Sequence, residues 1–186
     1  FALLDDCKRF GTLAFSHAAR AGFVATTLLK SFVETEVITE ERRLAFLKSF
    51  NTVAGKIERD KYAYQIGKLS ADSLISRYGH LRPGTYELFA QAYWEDSERY
   101  LLSGVDQAPQ EKALFNFSLK EVSKLSDLLI ELGSSLTVEE LGSYLIEAIQ
   151  SREYIKFEFT RNLSAALDYC VTLGLGLNLS REELSF

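Results

Sequence analysis

The amino-acid sequence predicts an all-α, multi-helix domain with one irregular, Pro/Gly-containing connection around residues 79–110. Three observations carry this expectation. Apolar residues recur at spacings of three and four, Ser/Thr-x-x-Glu capping signals precede apolar runs, and no alternating stretch between turn signals makes a strand. Both prolines, Pro83 and Pro109, fall in the one weakly periodic region.

Residues 2–32 read as one long helix whose apolar stripe holds Phe10, Leu13, Ala14, Ala18, Ala21, Ala25, Leu28 and Phe32. The alanines of that stripe would let a neighbouring helix approach closely. Gly11 and Gly22 each weaken the helix by about 1 kcal/mol relative to alanine without stopping it. His17 lies near the stripe and reads as a half-buried, satisfied histidine. Thr39 is the N-cap of a second helix, with Glu40 and Glu41 in the first turn. That helix points Leu44, Leu47 and Phe50 inward and continues, with interruptions, toward Tyr64. Ser70 caps a short helix through Ser76 that ends at Gly79, a residue suited to a left-handed C-terminal position. Ser118 with Glu121, Thr137 with Glu140, and Ser180 with Glu183 fit the capping box and predict helix starts near 119, 138 and 181. The helix from 138 runs through Leu141, Leu145, Ile149 and Phe157, past Leu167, to Gly174.

At 186 residues the chain is expected to be a single helical domain over 1–186, or two small subdomains, with ample length for a core. It contains no methionine. That reads as an excised fragment of a larger protein, or as selenomethionines dropped from the sequence. A formal charge of −5 argues against non-specific nucleic-acid binding. No apolar run is long enough to span a bilayer, so no membrane partner is expected. Cys7 and Cys170 read as buried, reduced thiols suited to the cytoplasm.

Several chemistries fall away. The glycines at 174 and 176 lack the third glycine and the preceding strand of a dinucleotide site and read as a helix C-terminus. There is no Walker A loop and no nucleophile elbow. Histidines and cysteines at 7, 17, 80 and 170 have no zinc-ligand spacing, so no metal site is expected. The pairs Glu40–Glu41, Glu139–Glu140 and Glu182–Glu183 sit in first helical turns, where negative charge offsets the helix dipole.

The run Gly79-His80-Leu81-Arg82-Pro83-Gly84 cannot continue a helix. Pro83 pushes Arg82 out of helical conformation, and Pro83-Gly84 suits the centre of a type II turn with glycine at positive φ. His80 and Arg82 therefore stand on a stiff bend. From the residues alone two readings stay open. Arg82 could grip a phosphate or carboxylate with His80 beside it. Alternatively the bend is a structural knot, in which Arg82 pairs with Glu87 or Glu95 and His80 ties down carbonyls. A second polar cluster lies at 151–167, where Arg152 and Lys156 share a helix face and Arg161 follows. Its aromatics Tyr154, Phe157 and Phe159 read as core or as an aromatic wall.

SLISRYGHLRPGTYEL, followed by a Tyr-Trp-Glu-Asp segment, resembles the central helical region of phosphoenolpyruvate-utilising phosphotransferases. These are the relatives of phosphoenolpyruvate synthase, pyruvate phosphate dikinase and rifampin phosphotransferase. REYIKFEFTRNLSAALDYCVTLGLGLNLSREELSF is similar to the segment that closes this region in a subset of them, and the resemblance covers roughly residues 70–186. In that family a helix ends in Tyr-Gly-His, followed by a basic Pro-Gly turn and an acidic residue. Many relatives carry Arg-Gly-Pro-Gly-Glu after the histidine; here Leu81-Arg82-Pro83-Gly84-Thr85 moves the basic side chain one place, and the acid waits until Glu87.

The resemblance implies two further domains in the same polypeptide, an ATP-grasp domain using ATP and Mg2+ and a swivelling domain carrying the phosphohistidine. It implies a small-molecule acceptor lodged against the helical region, a cytoplasmic location, and no cofactor or catalytic residue within this chain, which alone should be inactive. His80, Arg82 and Glu87 are the candidate substrate-binding residues, with Lys156 and Arg161 as secondary candidates. Arg82 would orient an anionic or hydroxyl-bearing acceptor, and His80 would hydrogen-bond it or assist its deprotonation. The rival expectation is a non-enzymatic helical interaction or scaffold module in which 78–87 only directs folding.

Overall fold

Side chains that satisfy the first free backbone N–H groups decide where most helices begin. The computed structural model describes residues 2–109 and 112–184. Among them are eight α-helices, two π-helical segments and no strand. Helix α1 (Ala2–Asp6) leads through a π-helical segment (Cys7–Thr12) into α2 (Leu13–Glu34). Then come α3 (Glu40–Ser49), α4 (Val53–Gln65) and α5 (Ala71–Tyr78). An irregular connection with a π-helical segment (Glu98–Leu102) leads to α6 (Leu119–Glu131), α7 (Val138–Gly176) and α8 (Arg181–Leu184). The all-α expectation and the irregular connection hold, with Gln110 outside the described residues.

All three capping boxes are formed reciprocally. Ser118, Thr137 and Ser180 accept from the backbone N–H of Glu121, Glu140 and Glu183, and each carboxylate accepts from its cap's own N–H. Thr39 accepts from Arg42 N–H and Ser70 from Ser73 N–H. Hydrogen bonding to Thr137 and Ser180 holds the Glu140 and Glu183 carboxyls below the usual range. Asn178, in the left-handed region at φ 61°, closes the end of α7.

The chain divides into two compact units. The first comprises Phe1–Phe15, Val53–Pro109 and Tyr154–Phe186; the second comprises Ser16–Thr52 and Gln110–Glu153.

In the second unit the core holds Ala25, Leu29 and Phe32 of α2, Phe46 of α3, Leu125 of α6, and Leu141, Leu145 and Ile149 of α7. Phe46 meets Phe115 at 5.2 Å and Phe117 at 6.0 Å between ring centroids. Arg42 clamps Glu121 with two 2.8 Å bonds, donates to Asn116 O, and lies 4.2 Å over Phe115. Gly22 is needed for close approach: a Cβ there would lie 2.7 Å from Arg152 Cδ and 3.3 Å from Ala148 O.

In the first unit Leu74, Tyr78 and Leu101 are buried, with Ile57, Tyr93, Tyr100 and Phe157 packed against them. Gly11 accommodates the Phe159 ring, whose Cδ2 would stand 2.1 Å from an added Cβ.

Five sequence expectations are corrected. Phe10, Leu13 and Ala14 face outward and His17 is exposed: Phe10 lies in the π-helical segment, whose extra residue per turn breaks the three-and-four phase, and the buried positions of α2 begin only at Ala18. Leu44 is exposed, and Phe46 takes the interior place by packing against three other phenylalanines. Cys7 is buried, whereas Cys170 is exposed on α7. Gly79 stays right-handed at φ −58°, and its missing side chain makes room for Trp94, whose Cβ would lie 3.1 Å from an added Cβ. Gly84 does not adopt positive φ. The turn forms two residues later, closed by Glu87 N–H donating to Gly84 O at 3.0 Å. Among the described residues no helix is long and apolar enough to cross a membrane.

Candidate functional site

Four residues of α7 at alternating spacings of four and three, Phe157, Arg161, Ser164 and Asp168, form one face of that helix. The chain from Ser76 to Arg82 runs along it within the first unit. Arg161 Nη2 donates to Arg77 O at 3.1 Å and Nη1 to Ser76 O at 3.5 Å, holding the last carbonyls of α5. A cation there also offsets the negative end of the helix dipole. His80 Nε2–H donates to Phe157 O at 3.0 Å, with the two rings edge to face at 4.7 Å. Arg82 Nε donates to Ser164 Oγ at 2.9 Å, Nη2 to Ser164 O at 3.2 Å, and Nη1 to Ala90 O at 2.6 Å. Its Nη2 also pairs with Asp168 Oδ1.

Arg82 is therefore fixed by partners inside the unit, and its side chain is only 1% exposed. The pairing with Glu87 or Glu95 does not occur. Asp168 wins because α7 passes directly beneath the bend, and Glu95 pairs instead with Arg181 and accepts from Ala92 N–H. Two backbone bonds complete the bend: Tyr93 N–H to Leu81 O at 2.8 Å and Trp94 N–H to Gly79 O at 3.0 Å.

The Nδ1 atom of His80 is buried without a hydrogen-bond partner. Burial, and secondarily the positive charge of Arg161, lower this imidazole's pKa from 6.5 to about 4. His80 is neutral at physiological pH, with its proton on Nε2 because the Phe157 carbonyl can only accept. Next to it, Tyr78 donates its hydroxyl to Asp60 at 2.7 Å, and burial followed by that bond pushes the phenol well up.

The structure thus gathers His80, Arg82 and Arg161 on one face of α7. Glu87 and Lys156 are exposed and make no hydrogen bond to that group among the described residues. Tyr154 is exposed, while Phe157 joins the buried cluster and Phe159 stacks on Phe15.

Beside the bend a cleft of about 430 Å³ opens among α4, the end of α5 and α7. Lys56, Arg77 and Arg161 bring cations to it, Tyr154 and Phe157 bring rings, and Glu158 brings one carboxylate. Sequence reasoning placed Ser164 in the 151–167 polar cluster without a partner and missed Lys56, Arg77 and Asp168. The 157–161–164–168 spacing was the available signal for Asp168; nothing local marks Lys56.

Among the described residues no three His, Cys, Asp or Glu side chains gather into a metal-ligand set. No family model, curated protein or solved structure matches the chain.

Proposed function

We propose that the chain is the central helical domain of a phosphoenolpyruvate-synthase-like, ATP-dependent phosphotransferase that acts in the cytoplasm on a small-molecule acceptor. One observation carries this reading. The two stretches whose residues resemble that family, the Tyr78–Gly84 bend and the α7 segment from Tyr154 onward, lie together in one unit through His80–Phe157, Arg161–Arg77 and Arg82–Asp168. A bend and a helix face so bonded behave as one piece. In this reading the helical domain supplies a wall for the acceptor, and the ATP-grasp and swivelling domains of the same polypeptide carry nucleotide and phosphohistidine. His80 and Arg82 act as positioning residues: they hold the backbone next to the cleft, and Arg161 faces it.

The reading frame that encodes the chain provides the first test. It should encode an ATP-grasp region upstream and a Thr-x-His swivelling motif downstream. The polypeptide, given radiolabelled ATP, should acquire an acid-labile phosphohistidine that is lost when the swivelling histidine is replaced by alanine. A frame without those regions, or no label, overturns the proposal.

A non-enzymatic scaffold module is the second reading, and the internal saturation of Arg82 favours it. It requires that frame to lack both regions.

A further inference from the structure

We propose that the cleft among α4, α5 and α7 of the first unit is a binding site for a small organic anion, a phosphate or carboxylate carried on a flat ring. The donors point to the anion. Arg77 uses one N–H on Asp60 at 2.9 Å and has four others. Arg161 gives its Nε–H to Glu158 at 2.8 Å and one N–H from each terminal nitrogen to a carbonyl, leaving one on each. The exposed Lys56 ammonium is in no ion pair among the described residues. Three cations therefore face Glu158, with Asp60 behind Arg77, on a chain whose formal charge is −5. Two guanidinium forks and an ammonium suit a tetrahedral or planar oxyanion better than any neutral group.

The walls point to the ring. Arg161 lies 4.9 Å over the Phe157 ring, which fixes both, and Tyr154 is 60% exposed at the rim, free to stack on a ligand. A volume of about 430 Å³ falls in the range of small-molecule sites. Arg161 is also held in place by α5, so the cation that contacts the ligand is ordered before binding.

The test is a titration of the full chain with phenyl phosphate, benzoate, inorganic phosphate and benzyl alcohol, followed by amide NMR shifts. Phenyl phosphate or benzoate should give saturable shifts centred on Lys56, Arg77, Tyr154 and Arg161, and should bind more tightly than inorganic phosphate or benzyl alcohol. Whichever of the first two binds more tightly assigns the anion. Lys56→Gln and Arg77→Gln, both at exposed side chains, should each weaken binding about fivefold while the melting temperature holds. Shifts that do not saturate, that spread over the surface, or that are unchanged in both variants overturn the proposal. So does benzyl alcohol binding as tightly as the anions. Neither ATP nor another domain takes part in this titration, so its outcome is separate from that of the phosphotransferase test.

Discussion

The two units of this protein are stabilised by different physics. The second is held by a continuous apolar core of thirteen buried residues, with Glu121 as its one buried charged or polar side chain among those described. The first buries only Leu74, Tyr78 and Leu101 in its apolar cluster, and alongside them His80, Arg82, Thr160 and Ser164. An apolar core tolerates exchange of one shape for another, because dispersion has no direction. A buried hydrogen-bond network does not, because each missing partner leaves a desolvated group behind. A rare cluster of polar residues can thus be the keystone of a fold rather than its reactive centre.

The largest expected effect breaks the network. Arg82→Ala should cost about 3–5 kcal/mol, because Asp168, Ser164 and the Ala90 carbonyl lose their shared partner. Urea unfolding followed by Trp94 fluorescence measures it, since the single tryptophan lies in the first unit. Leu145→Ala in the second unit should cost about 3 kcal/mol through lost burial and a residual cavity. The sharper contrast comes from conservative changes. Leu145→Met should cost less than about 1.5 kcal/mol, whereas Arg82→Lys should cost more, because an ammonium cannot reproduce four bonds of a planar fork. If the two conservative variants unfold alike, the proposed difference between the units is wrong.

Acid should separate the units by pH window. His80 has a folded pKa lowered to about 4, so the unfolded chain binds its proton first. Its contribution is complete above pH 6.5 and is lost as pH falls from there to about 4, on the order of 3 kcal/mol in all. Glu121 is lowered to about 2, chiefly by its hydrogen bonds to Arg42. Its contribution is present above 4.5 and is lost as pH falls toward 2. Trp94 fluorescence in the first unit should therefore change at milder acidity than hydrogen exchange in α6. His80→Gln should flatten the milder limb only; an unaltered profile would remove His80 from the account. The smallest effect is Ser118→Ala, about 1 kcal/mol by thermal melting, for one lost cap.

Much of the fold was legible because its signals are local. Each capping box acts over three residues, so Ser118, Thr137 and Ser180 mark helix starts whatever the rest of the chain does. The bend was legible for the same reason: a Pro-Gly pair cannot remain helical. Its contacts were not. Rare residues pointed to His80 and Arg82, but whether they face solvent or α7 depends on which helix passes beneath them. The stripe on the first helix failed at Phe10 because that residue lies in a π-helical segment, whose extra residue per turn breaks the three-and-four phase, and no composition rule announces such a segment.

The sequence by itself determined an all-α chain, its principal helix starts, and a stiff bend carrying a histidine and an arginine, because backbone geometry and capping are settled within a few residues. Tertiary structure alone decided that Arg82 meets Asp168, 86 residues away, that His80 is buried and neutral, and that Lys56, Arg77 and Arg161 share a cleft. Those outcomes depend on burial and on which helix faces are brought together, and neither exists until the chain has packed.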